Sequence, residues 1–362
     1  MTKIQNIPYV LVILKFGFKI CFGFRYSDFG FFCNCRRYGM PERVFLEDIG
    51  KPFSIAPIGQ ARAWEVKNFR NDPALPPLIY VVESKMGESF LLGRGISGRP
   101  KFNMIRYIAT SFVALFFEPL NKKTCVQYLI LRGAYPFDLQ QAFGNAPPYD
   151  RILLPTGFIK LQRVLNQEGN DWEIKAQNFV GAYQGETWLI PDTAIASGST
   201  IAFFLRNAFS HHLPKQVYIF TACGSLEGVQ RIYQECLKNG VELIPVFSQC
   251  IFEVSREGNL PGLPLTDLPV TNPGSLTTKS FYKKAFHRYQ GTRMCCVGDI
   301  GESLEDPIQY SIHTLCEMQV LGMDPKKEDW DSWTVEVRAK EIKKKVHDFN
   351  PALAEYFKEI WK

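Results

Sequence analysis

The chain has 362 residues, of which 46% are hydrophobic, 14% aromatic and 22% charged. Those proportions exclude a wholly disordered chain, a collagen-like repeat and a coiled-coil rod. Lysine and arginine number 42 against 36 acidic residues; the formal net charge of +6 suits an acidic ligand but is too slight to argue for nucleic acid.

In chain order, residues 1–39 read as a leader or N-terminal extension ahead of a folded domain that starts near Met40. Ile7 to Phe24 is apolar apart from Lys15 and Lys19. Each of those lysines would cost about 3 kcal/mol at a bilayer centre, which argues against a spanning helix. The segment also lacks the basic start and small-residue cleavage site of a signal peptide. A peripheral membrane-contacting segment is the alternative reading. The 10 cysteines include no CxxC: Cys33 and Cys35 are separated by one residue, and Cys295 and Cys296 are adjacent. Reduced thiols in a cytoplasmic protein are therefore expected.

Ile79 to Val82 reads as a strand, and Phe90 to Leu92 as a further short one. Phe102 to Phe117 carries Ile105, Ile108, Phe112, Leu115 and Phe116 at helical spacing, with Pro119 expected to end the helix. Cys125 to Leu131 is a strand, followed by a turn at Gly133 to Pro136 and a short helix from Phe137. Strands are expected at Arg151–Leu154, Gly157–Leu161, Trp188–Ile190, Gln216–Thr221 and Val241–Val246. Thr200–Phe209 and Leu226–Asn239 read as helices, the second ended by Gly240. Nearly all-apolar strands alternating with helices predict an α/β fold, with a mostly parallel central sheet flanked by helices. The Pro- and Gly-rich stretch Gly258–Gly274 predicts a small hood or loop excursion. From Asp324 onward, Val335, Ala339, Ile342, Val346 and Phe349 recur at steps of four and three, so 324–362 reads as an amphipathic C-terminal helical tail. The domain proper is thus expected over 40–323.

Trp188 to Thr200 carries the chemistry. An apolar strand is expected to end at Pro191, with Asp192 following at once. Ala196, Ser197, Gly198, Ser199 and Thr200 then lead into a helix. Backbone amides at a helix start lack helical acceptors and suit an anion, and small side chains let a phosphate approach. Asp192 is suited instead to sugar hydroxyls. The combination points to a sugar phosphate, and an ordinary capped helix after a strand is the alternative from this loop alone.

The run Asp192-Thr193-Ala194-Ile195-Ala196-Ser197-Gly198-Ser199-Thr200 resembles the phosphoribosyl-pyrophosphate loop of the phosphoribosyltransferases, in its uracil phosphoribosyltransferase form. Other segments follow in the family's order. Leu131-Arg132-Gly133-Ala134 resembles the Arg-Ala-Gly turn, with its last two residues exchanged. Arg163 resembles the second pyrophosphate-binding arginine, although the usual Asp-Glu after it is Val164-Leu165. Glu227-Gly228 is similar to the Pro-Glu-Gly step. Val297-Gly298-Asp299-Ile300-Gly301-Glu302 resembles the base-recognising loop, with Ile300 in place of a smaller alanine. Arg94 to Arg106 resembles the N-terminal Leu-Arg…Phe-Arg segment. The resemblance spans about Phe90 to Asp306.

The resemblance implies a type I phosphoribosyltransferase fold and transfer from phosphoribosyl pyrophosphate to uracil, giving UMP and pyrophosphate. It implies that Arg132 and Asp192 are catalytic. Arg132, Arg163, the loop from Asp192 to Thr200 and Asp299 would bind phosphoribosyl pyrophosphate. Val297, Gly298, Asp299 and Ile300 would read the base. Mg²⁺ would arrive with the substrate and have no direct protein ligand. The partners implied are these small molecules and further copies of the chain, as a homodimer or higher oligomer, with neither nucleic acid nor membrane. A nucleotide-binding regulatory module, or a transferase for another base, is the alternative.

Two other motifs are weaker. Gly93-Arg94-Gly95-Ile96-Ser97-Gly98 matches the dinucleotide fingerprint GxGxxG, but Arg132 stands where that fold expects an acid. His211 and His212 are adjacent and cannot share a helix face, so a helix-end interaction is expected rather than a metal site.

Overall fold

The computed structural model describes residues 44–55, 61–93, 96, 98–121, 124–131, 134–146, 154–165, 172–254, 261–263, 275–288 and 294–295. All lie in the unit Met40–Lys362. The expected leader over 1–39, the strand start over 151–153, most of the 258–274 excursion and the tail over 324–362 lie outside the described residues.

The strands are β1 (Phe53–Ser54), β2 (Arg62–Lys67), β3 (Leu78–Glu83), β4 (Cys125–Leu131), β5 (Thr156–Leu165), β6 (Trp172–Val180), β7 (Thr187–Ile195), β8 (Gln216–Ser225), β9 (Glu242–Ser248), β10 (Cys250–Val254), β11 (Pro261–Leu263), β12 (Leu276–Thr277) and β13 (Met294–Cys295). The helices are α1 (Leu46–Ile49), α2 (Lys85–Leu92), α3 (Gly98–Asn121), α4 (Leu139–Asn145), α5 (Ser199–Ala208), α6 (Leu226–Lys238) and α7 (Lys279–Arg288). The main sheet runs β1-β2-β3-β9-β8-β7-β4-β5-β6. From β3 to β5 every neighbouring pair is parallel. The antiparallel β2 and β1 extend one edge and β6 the other. The expected mostly parallel sheet flanked by helices is the observed fold.

Alternation along the strands divides the core into two layers. Leu189, Tyr218, Phe220, Ile244 and Val246 face a cluster built by α3 and α4. Trp188, Ile190, Val217, Ile219 and Leu243 face a second cluster built by α5 and α6. α3 presents Ile105, Ile108, Ala109, Phe112, Val113, Phe116 and Leu120 as one buried stripe. Its Phe112 ring stacks on Phe137 and Phe220, with centroids 6.4 and 5.6 Å away.

Three expectations are corrected. Phe90 to Leu92 is not a strand but the last turn of α2, which Ser84 starts by accepting a hydrogen bond from the Gly87 amide at 3.0 Å. Pro119 does not end α3, which runs on to Asn121. A proline so near the helix end disturbs only its last turn, and buried Leu120 holds that turn on the core. β7 does not end at Pro191 but continues to Ile195, its ladder on β8 pairing Asp192 with Thr221, Ala194 with Cys223 and Ile195 with Gly224. Among the described residues, the other expected strands and helices stand within a few residues of those observed.

Candidate functional site

Strand order fixes where a ligand can sit. The chain leaves β4 for α4 and reaches β5 on one side of β4. It leaves β7 for α5 and reaches β8 on the other side of β7. α4 packs Leu139, Ala142 and Phe143 into the first cluster, whereas α5 packs Ile201, Phe204 and Leu205 into the second. The helices after these two adjacent strands therefore lie on opposite faces. That defines the topological switch point, and ligands bind open α/β sheets in the crevice at the carboxyl ends of the strands there.

The small-residue loop falls at this point. After β7, Ala196, Ser197 and Gly198 connect directly to α5. Gly198 takes a left-handed conformation at the helix start, with φ 69°. The Ser197 and Ser199 hydroxyls lie 3.1 Å apart. Ser84 caps α2, Asp138 caps α4 and Ser225 caps α6. Among the described residues no side chain caps α5. Its first amides are left to a ligand or water, and its dipole favours negative charge there.

Of the nine residues read as one loop, Asp192 to Ile195 are thus strand, and Thr193 and Ile195 are buried. What remains as connecting loop and first helical turn is Ala196 through Thr200. Asp192 is half-buried, and its Oδ1 lies 3.4 Å from the Ala194 amide. Arg163 lies on β5, paired with Ile174 across a register irregularity. Lys160 pairs with Leu131, the last residue of β4. The Arg163 backbone, three residues further on, therefore stands about 10 Å beyond the end of β4 on the ligand side. Arg94, Arg132, Gly133, Val297, Gly298, Asp299 and Ile300 lie outside the described residues.

A residue that sequence reasoning misses is Ser225. It ends β8, caps α6 and donates from its hydroxyl to the Ala196 carbonyl. Its only sequence signal is a serine three residues before Gly228 at a strand-to-helix step. Arg106 enters the sequence pattern only as the end of a longer segment. Its Nη2 donates to Asp138 Oδ2 at 3.1 Å, just past the β4 turn, and its guanidinium lies 4.5 Å from the centre of the Phe102 ring.

The weaker motifs resolve. The glycine-rich stretch from Gly93 follows α2 rather than a strand, so it lacks the strand–turn–helix setting of a dinucleotide site. His211 stacks on Tyr183 with centroids 5.1 Å apart, and His212 Nε2 lies 2.9 Å from the Gly185 carbonyl oxygen. Both pack the α5 end onto the loop before β7. Cys125, Cys223, Cys236 and Cys250 are buried. Among the described residues, no helix is long and apolar enough to cross a membrane.

No protein-family model matches the chain, and no curated protein matches it. Solved structures do resemble it. AQ2163 protein from Aquifex aeolicus shares 18% identity at a TM-score of 0.37, covering 50% of this chain and 91% of that one. A hypoxanthine phosphoribosyltransferase from Staphylococcus aureus shares 18% at 0.26, covering 32% and 61%. An adenine phosphoribosyl transferase from Trypanosoma brucei, in complex with AMP, pyrophosphate and ribose-5-phosphate, shares 11% at 0.31, covering 47% and 83%.

Proposed function

We propose that the chain transfers a phosphoribosyl group from phosphoribosyl pyrophosphate to a nucleobase, with uracil the first candidate. The observation that carries this reading is the side-chain-uncapped start of α5, reached by a loop of small residues at the switch point of the sheet. The Ser197 to Thr200 amides and hydroxyls bind the 5′-phosphate. Asp192, one strand-end away, accepts hydrogen bonds from the ribose hydroxyls. Arg132 and Arg163 balance the charge that gathers on pyrophosphate as its bond to C1 breaks, while a base nitrogen forms the new bond and gives up its proton to the departing pyrophosphate or to water. By the resemblance of the segment 297–302, Asp299 would serve the ribose from the base side, and Val297, Gly298 and Ile300 would read the base edge. No protein nucleophile is needed, because C1 takes on positive charge as the leaving group departs.

A Mg²⁺ ion would screen the pyrophosphate oxygens when bound. Asp192 is the single carboxylate from Asp192 to Thr200. One carboxylate does not make a metal cage by itself, and the ion is taken to arrive on the substrate's own oxygens.

Incubating the protein with uracil, phosphoribosyl pyrophosphate and Mg²⁺ tests the reading. UMP and pyrophosphate should appear together, and Asp192→Ala or Arg132→Ala should lower the rate by about 100-fold or more without unfolding the chain. Full activity in both variants would refute the assignment. Val164-Leu165 and the Arg132-Gly133-Ala134 order favour a second reading, a nucleotide-binding regulatory module. Tight binding of phosphoribosyl pyrophosphate without pyrophosphate release is its signature. A panel of other bases addresses the bulk of Ile300.

A further inference from the structure

The loop before α5 does not hold its shape alone. Ser225 is fully buried, and its hydroxyl serves two partners. It accepts from the Gly228 amide at 2.9 Å, which is all that capping α6 requires. It also donates to the carbonyl of Ala196, a bond that capping does not need. A trans peptide is planar, with its carbonyl and the next amide pointing opposite ways. Drawing the Ala196 carbonyl toward α6 therefore turns the Ser197 amide away from α6.

Two glycines complete the contact. A Cβ on Gly228 would lie 2.5 Å from the Ala196 oxygen and 2.7 Å from Ile195 Cγ2. A Cβ on Gly198 would lie 2.8 Å from the Gly228 Cα and run into the Gly228 carbonyl. Backbone therefore meets backbone here with no side chain between, and the neighbours cannot yield as the end of a flexible side chain would.

We propose that Ser225 and Gly228 are positioning residues that set the aim of the phosphate-binding amides from the neighbouring helix. The proposal rests on the phosphoribosyl reading and deepens it. It assigns the 5′-phosphate end of the site, but not the pyrophosphate end, to the start of α6. Ser225→Ala removes only the oxygen. Gly228→Ala inserts a methyl group against Ala196.

Calorimetric titration of each folded variant with ribose 5-phosphate, and separately with pyrophosphate and Mg²⁺, reads the two ends independently. Ribose 5-phosphate binding should weaken tenfold or more in both variants, while pyrophosphate binding stays within twofold. Equal weakening of both ligands would mean a general structural role and overturn the proposal; so would no weakening of either. Should Gly228→Ala fail to fold, Ser225→Ala decides alone. If the unaltered protein binds neither ligand, the phosphoribosyl reading itself falls, and this inference with it.

Discussion

Glu235 on α6 has its carboxylate almost wholly enclosed, and it keeps its charge because two cations reach it. Arg206 Nη2, on α5, lies 2.7 Å from Oε1, and Lys238 Nζ lies 3.3 Å away. The Arg206 hydrogen bond holds the acid below the usual carboxylate range, against the opposing effect of burial. A folded value below the unfolded one stabilises the protein above about pH 4.3, and that stabilisation is lost as pH falls through the folded value. Glu235→Gln should therefore cost about 1–2 kcal/mol near pH 7, discounted because Arg206 is largely exposed, and the gap from the parent should close below about pH 4. Urea unfolding at the two pH values checks this; a gap that is the same at both would refute it. Residues that act through their immediate neighbours along the chain are legible from the order of amino acids alone. Ser197 to Thr200 are an example, because a helix start exposes its amides whatever lies around it. Ser225 is not, because its second bond spans 29 residues and exists only once β7 and β8 lie side by side.

Among the elements, α2 and α5 differ in how they start: Ser84 caps α2, and no described side chain caps α5. α2 is a supporting helix whose start is closed by Ser84, and Gln249 accepts from the Ser84 amide and donates to its carbonyl. Ser84→Ala should lower global stability by about 1 kcal/mol and leave ligand affinity unchanged. Thermal melting and a phosphoribosyl pyrophosphate titration measure the two effects, and a changed affinity would show that α2 reaches the site. The same helix shows where sequence reasoning fails. Phe90, Leu91 and Leu92 are consecutive apolar residues, and a three-residue run carries no period by which helix and strand differ. The long stripe of α3 does carry one, and its helix is legible for that reason. At Pro119 the rule that proline ends helices overstates its local cost when the residue falls in the last turn. The extension of β7 through Asp192 is hidden too, since an acid amid small residues looks like a loop until Thr221 is seen beside it.

For the whole molecule, periodicity and apolar content are enough to give a parallel sheet covered on both faces. Strand order is not readable in the same way, because it depends on which pairs close across long stretches of chain. That order sets a gradient of protection. β7 and β8 are flanked on both sides and buried on both faces, whereas β1 is a two-residue edge strand with both residues exposed. Hydrogen exchange followed by mass spectrometry should find β7 and β8 the slowest and β1 among the fastest of the described segments. Equal rates in β1 and β8 would contradict the order.

The parallel seam between β3 and β9 reaches further still. It joins Tyr80 to Val246, positions 166 residues apart. On a ribosome, β3 emerges early and stays without its partner until most of the domain has been made. During that interval its row of amides and carbonyls is open to any passing strand. Newborn copies crowded on one message are thus open to mispairing along this edge until β9 has been made.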